Sequence, residues 1–248
     1  MDLWRECRGA EHLCALQVSV YRLVETQTRA ATLDLVDSLD EQALLEELLE
    51  TSKPPLPSSA AHLPYLLQSP FRYPPLHHGS RFGSREQGGL FYASLQIATA
   101  MAETAFYRFV FIAGMTAAPT EGIGMDFSSF RVGVRAQRAA CLDRPPFAAF
   151  EATISSPTDY AVPQSLGEAM RHDGVEAARY VSARDVRRGR NLVIFEPRFF
   201  TGPPRDLRTW HCTATAERVV FVAAHDVEGY QFERSTFLVD DVLPAPAG

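Results

Sequence analysis

From Ala10 to Ser52 the chain contains neither proline nor glycine, the two residues that most readily stop a regular element. Whatever forms there is long. Leu13, Leu16, Val20, Leu23 and Val24 recur at spacings of three and four, which predicts a helix with one apolar face. Leu39, Leu44, Leu45, Leu48 and Leu49 continue among acidic residues and predict a second helical run. The stretch from Thr51 to Ser59, TSKPPLPSS, then breaks the pattern and reads as a linker. Residues 1–59 are therefore expected to form a helical N-terminal extension and linker, ahead of a main domain over 60–248. Such an extension packs on the main domain, supports a homodimer or meets a partner. A chain of 248 residues suits one domain with an appendage.

Beyond residue 60, short apolar runs alternate with turns. Gly-Leu-Phe-Tyr-Ala-Ser94 predicts a strand with Leu90, Tyr92 and Ser94 on one face. Gln96 to Phe109 has helical composition, with Ser94 as its expected N-cap. Ser165 to His172 predicts a helix ended by Asp173-Gly174. Val175 to Ser182, Asn191 to Phe195 and Val219 to Ala223 predict strands, the last two buried. Strands dominate without regular βα alternation, so the expected class is α+β.

Composition narrows the function. The formal net charge is −6, the opposite of the basic excess that nucleic-acid binding favours. The N-terminus is acidic and lacks a long apolar run, and AFYRFVFIAGM is cut by Arg108 and too short to span a bilayer. The expectation is a cytoplasmic protein with no membrane contact. Cys7, Cys14, Cys141 and Cys212 form no CxxC pair and no zinc spacing with histidine, and read as small buried residues of a reduced protein. Cys7 and Cys14, seven apart, are expected on one helical face. Of the 24 lysines and arginines only Lys53 is a lysine, and it sits in the linker, which argues against Schiff-base or P-loop chemistry.

No GxSxG elbow, Walker A loop, HExxH or Rossmann fingerprint is present. Gly122-Ile-Gly124 reads as a turn, and His77-His78 as a loop rather than a metal site. One constellation stands out between Phe71 and Glu103. It holds arginines, loop glycines, a strand tyrosine and a helix carboxylate, with Arg81, Tyr92 and Glu103 spaced by eleven and eleven. Glu103 lies among Ala98, Met101, Ala102 and Ala105. A carboxylate in apolar company needs a partner or a task, and the plain alternative is an ion pair with an arginine. Arg184, Arg187, Arg188 and Arg190 crowd Gly189. Arg187 and Arg188 read as a solvated turn, with Arg184 left open.

GSRF at 79–82, LFYAS at 90–94, AMAETAFYR at 100–108 and the run SLGEAMRHDGVEAARYVSARDVRRGRNLVIFE from Ser165 to Glu196 together resemble the RES domain family, over most of residues 70–200. The family is named for Arg, Glu and Ser, and its serine falls on Ser182. The resemblance implies an ADP-ribosyltransferase-like mixed β core with flanking helices. It implies the toxin half of a toxin–antitoxin pair, held by an Xre-type antitoxin that carries the DNA contact, so none is expected here. It also implies degradation of NAD+ as substrate, by hydrolysis or phosphorolysis or, in some members, protein ADP-ribosylation. No permanently bound cofactor is expected, and inorganic phosphate is a candidate co-substrate.

On this resemblance Glu103 stabilises an oxocarbenium-like state, as in glycoside cleavage. Arg81, with Arg72 second, holds the pyrophosphate, where a bidentate cation suits. Tyr92 stacks on nicotinamide or ribose. Ser182 bonds the ribose or fixes Glu103. Arg72-Tyr73 corresponds to a further arginine–tyrosine pair of such proteins. A catalytically inactive module that binds dinucleotide or antitoxin is the reading from another class.

Overall fold

A single long strand organises the fold. In the computed structural model, which describes residues 2–26, 36–73, 75, 78–117 and 121–245, strand β3 runs from Ile123 to Cys141 and touches three neighbours. In chain order the elements are α1 (Leu3–Glu6), β1 (Leu13–Glu25), α2 (Leu39–Ser52), α3 (Tyr65–Arg72), β2 (Phe91–Ser94), α4 (Ile97–Ala113), β3, α5 (Glu151–Ile154), α6 (Ala161–His172), β4 (Ala177–Val181), β5 (Arg190–Ile194), β6 (Arg205–Ala214), β7 (Arg218–Ala223) and β8 (Gly229–Glu233). Among the described residues the strands form one eight-stranded sheet in the order β1-β2-β5-β4-β3-β6-β7-β8. The β3–β4 pair is parallel and the others are antiparallel. This is the expected α+β class, a mixed sheet with flanking helices.

The N-terminal expectation fails over residues 13–25, which form a strand rather than a helix. β1 lies along β3 from Leu13 opposite Ala140 to Glu25 opposite Phe127. The strand signal was present as a competing period: Leu16, Val18 and Val20 alternate with Gln17, Ser19 and Tyr21. β-branched Val18, Val20 and Val24 lose χ1 freedom in a helix and fit a pleated surface. Val20 is fully buried against the sheet core, worth about 1.5–3 kcal/mol. Cys7 and Cys14 accordingly do not share a helix face. Cys7 caps α1, and Cys14 lies in β1 with its Sγ 3.4 Å from that of Cys141. The helical reading holds for α2, capped by Ser38, whose hydroxyl accepts from the Glu41 amide at 3.2 Å.

Because β1 also meets β2 at Tyr21–Ser94, the pairings β1-β2-β5-β4-β3 close on themselves. β6, β7 and β8 extend the sheet beyond β3. Core side chains gather in three clusters, one around Phe82 and Tyr180, one around Phe91 and Phe130, and one where Met101, Phe106 and Phe109 of α4 pack on Trp210 and Phe221. α4 begins after Gln96 rather than Ser94, with no side-chain cap, because Ser94 is engaged inside the sheet. α6 ends as expected, with Gly174 at a positive φ of 68°. Gly122 is likewise at positive φ, in the turn leading into β3. His78 sits in a turn, and His77 lies outside the described residues. Among the described residues no helix is long and apolar enough to cross a membrane.

Candidate active site

Glu103 stands on the face of α4 that looks across the ends of β4 and β5. Its Oε1 accepts from the Ser182 hydroxyl at 2.6 Å and from the Asn191 side-chain amide at 2.6 Å. Both donors come from the β4–β5 hairpin, Ser182 just past β4 and Asn191 in β5. Neither is loose. Ser182 Oγ accepts from the backbone N–H of Arg184 at 3.1 Å and of Asp185 at 3.0 Å, while Asn191 Oδ1 accepts from the Ser94 hydroxyl at 2.7 Å. Asp185 in turn accepts from Thr99 at 2.8 Å, which ties the hairpin to the first turn of α4. One carboxylate oxygen is thus clamped by two neutral donors, and Oε2 makes no hydrogen bond among the described residues. The ion pair with an arginine is absent among those residues, so the partner that Glu103 required is a hydroxyl and an amide.

Around this carboxylate opens a cleft of about 310 Å³, walled by Arg81, Tyr92, Tyr107, Tyr160, Tyr180 and Arg22 among others. Arg81 is buried. Its Nη1 donates to the carbonyls of Ile154 at 3.2 Å and Ser156 at 2.8 Å, and its guanidinium lies 4.6 Å from the Tyr160 ring centre. Tyr92 reaches back to the same loop. Its hydroxyl pairs with Ser80 Oγ at 2.9 Å and accepts the Phe82 amide at 2.9 Å. The tyrosine therefore braces the segment carrying Arg81 with its hydroxyl, while its ring still faces the cleft.

Burial, partly offset by the Ser80 and Phe82 hydrogen bonds and by the nearby Arg81 charge, pushes the Tyr92 phenol up to about 12. Burial raises Tyr180 well above its usual value too, with the Glu103 charge adding to it. Since the folded value exceeds the unfolded one near 10, the stability these phenols contribute is complete below that pH and is lost as pH rises towards the folded value. Alkaline titration followed by tyrosinate absorbance should show a late-ionising group that Tyr92→Phe removes, together with a shallower loss of stability above about pH 10. Full ionisation in the folded protein at the pH of free tyrosine would contradict the burial assignment.

Arg22 was missed, because the helical reading of residues 13–25 hid it. On β1 it continues the face of Leu16, Val18 and Val20, so the alternation that marks the strand also turns an arginine inward. Its Nη1 donates to the Tyr92 carbonyl at 2.6 Å, its guanidinium sits 4.8 Å from the Phe91 ring centre, and its Nε is buried with no partner among the described residues. Burial lowers its pKa to about 10, which leaves it charged at neutral pH. A buried guanidinium with an unmet donor is costly unless something else meets it. Asn191 was also missed as a site residue; only its place in the NLVIF strand was legible.

Arg72 and Tyr73 do not line this cleft. Arg72 donates to the Pro54 carbonyl at 2.7 Å and pairs with Glu50 at 2.7 Å, tying α3 to the end of α2. Tyr73 lines a neighbouring pocket. Arg184 is buried, stacked 3.5 Å from the Phe106 ring centre and bonded to the Pro157 carbonyl at 2.8 Å. Arg187 pairs with Asp185 at 3.3 Å and Arg188 with Glu151, in keeping with an exposed turn.

Fold and cleft together define an α+β protein whose mixed sheet presents a clamped carboxylate beside two arginines and several tyrosines. The family model of the RES domain matches residues 56–215, and the chain belongs to that family. Among solved structures it is similar to the crystal structure of the M. tuberculosis MbcT-MbcA toxin-antitoxin complex, with 15% identity and a TM-score of 0.46, over 82% of this chain and 87% of that one. No curated protein matches.

Proposed function

We propose that this chain degrades NAD+ by cleaving the bond between nicotinamide and ribose, with water or inorganic phosphate as acceptor, and acts as the toxin of a toxin–antitoxin pair. The observation that carries the reading is the Glu103 clamp: Oε1 is held by Ser182 and Asn191, and Oε2 is left for a ligand. Family membership supplies the expectation of NAD+ and of an antitoxin partner, an Xre-type protein that covers the cleft.

In this reading the nicotinamide ring is already cationic and leaves with the electron pair of the broken bond, so it needs no proton. Positive charge grows on the ribose anomeric carbon and ring oxygen. Oε2 of Glu103 faces that charge and bonds a ribose hydroxyl, in a geometry that its two donors fix beforehand. Water then adds to the anomeric carbon and releases a proton, giving ADP-ribose; phosphate adds instead to give ADP-ribose phosphorylated at that carbon. Arg22 is the stronger candidate for the pyrophosphate, because its guanidinium makes one hydrogen bond among the described residues, whereas Arg81 Nη1 already holds two carbonyls. A guanidinium suits that task by its forked donors.

Purified protein incubated with NAD+, with and without inorganic phosphate, and followed by mass spectrometry is expected to release nicotinamide. ADP-ribose alone identifies a hydrolase, and the phosphorylated sugar a phosphorylase. NAD+ left intact in both conditions, with label transferred to an added protein acceptor instead, would replace this reading by protein ADP-ribosylation.

A further inference from the structure

A second pocket of about 400 Å³ adjoins the Glu103 cleft, and Arg22 lines both. Its walls combine three kinds of group. Tyr65 and Tyr73, residues 44% and 39% exposed, flank it on and just after α3. Leu66 and Leu207 add apolar surface, Leu207 being 60% exposed on β6. Glu25, at the end of β1, brings a carboxylate whose Oε1 pairs with Arg108 at 2.6 Å. Among the described residues Arg22 is the only lysine or arginine in the lining.

From this arrangement we propose that the second pocket holds the adenosine half of the dinucleotide, its base against Tyr65 and Tyr73 and its ribose hydroxyls on Glu25, with Arg22 at the neck. The proposal rests on the reading of Glu103 as the group facing the nicotinamide ribose. Aromatic faces stack on bases of any identity, and a carboxylate is the usual acceptor for ribose hydroxyls. Exposed tyrosine and leucine side chains gathered round one concavity are an unusual cost for a protein surface without a ligand. The cation belongs between the two halves, where a pyrophosphate would lie, and Arg22 is the arginine that lines both pockets. Glu25 also sets specificity: a ribose carrying a 2′-phosphate would bring like charge against it, so NAD+ is preferred to NADP+.

Binding and turnover test the two readings separately. ADP-ribose is titrated into the wild type, Tyr73→Ala and Tyr65→Ala, and the steady-state constants for NAD+ and NADP+ are measured in parallel. Each tyrosine variant is expected to weaken ADP-ribose binding about tenfold or more, and to raise KM for NAD+ far more than it lowers kcat. The wild type is expected to favour NAD+ over NADP+ by about tenfold, and Glu25→Gln to narrow that ratio by removing the repulsion. Both tyrosines are partly exposed, so their loss leaves the fold standing. ADP-ribose affinity equal to wild type in both variants, or no binding to the wild type, overturns the pocket assignment. Equal use of NAD+ and NADP+ overturns the role of Glu25. Absence of NAD+ cleavage with tyrosine-dependent ADP-ribose binding would instead sink the catalytic reading and leave the nucleotide pocket in place.

Discussion

Glu103→Ala is expected to abolish NAD+ loss, lowering kcat by about 10³-fold, while thermal unfolding stays close to that of the wild type. Among the described residues the carboxylate is the one acidic group in the cleft lining, the group that the growing positive charge would face. Its partners survive its removal, since Ser182 remains anchored by two backbone N–H groups and Asn191 by Ser94. Glu103→Gln keeps the shape and one acceptor oxygen but removes the charge, so it should be nearly as inactive. Ser182→Ala separates positioning from charge. It deletes one of the two bonds to Oε1, and a hydrogen bond to a charged group of about 1.5–3 kcal/mol corresponds to a fall of about 10–100-fold, in kcat rather than KM. Steady-state kinetics on the three variants, with circular dichroism as the fold control, decide the matter. Wild-type turnover in Glu103→Ala would remove this residue from the mechanism.

Gly167→Ala is expected to destabilise the protein and to impair its activity, against the usual preference of a helix for alanine. Replacing glycine by alanine inside a helix ordinarily gains about 0.5–1 kcal/mol. Gly167 is buried in α6, where an added Cβ would lie 2.1 Å from the Phe82 backbone carbonyl oxygen. Backbone cannot swing aside as a side-chain tip can, so α6 or the segment around Phe82 must shift. Overpacking of this kind costs about 1–3 kcal/mol. After the helix gain a net loss of about 1–2 kcal/mol remains, a fall in Tm of about 5 °C. The displaced segment holds Ser80 and Phe82, to which Tyr92 bonds, and it presents Ser80 and Arg81 to the cleft. An ångström-scale displacement there is expected to lower kcat/KM by about 10²-fold. Unchanged Tm and activity would mean that the helix and the loop separate without cost.

The contrast between Glu103 and Arg22 shows what could be read in advance. Glu103 announces itself locally, as a carboxylate amid alanines and a methionine on an uninterrupted helix. Arg81 and Tyr92 sit at regular intervals before it, and the structure brings all three to one cleft, with Ser182 bonded to Glu103. Arg81 lies in a glycine-flanked turn, Tyr92 in a short strand and Glu103 on a helix of 17 residues, each a stretch in which the local signals agree. Arg22 lies in a run whose apolar residues fit both a helical and a strand period, and the absence of proline and glycine favoured the wrong one. Arg72 and Tyr73, adjacent in sequence to the constellation, fall outside the cleft because α3 turns Arg72 towards Glu50 and Pro54.

By itself, then, the amino-acid order determined the α+β class, the helix that carries Glu103, and the strands β2, β4, β5 and β7, because each is written in local period and punctuation. The tertiary structure decided between the two periods of residues 13–25 in favour of the strand β1, since its register along β3 supplies hydrogen bonds that a local pattern does not report. It alone decided that Asn191 shares Glu103 with Ser182, that Arg22 stands between two pockets, and that Gly167 must lack a side chain. Those are contacts between segments distant in the chain, set by packing, and packing has no period along a sequence.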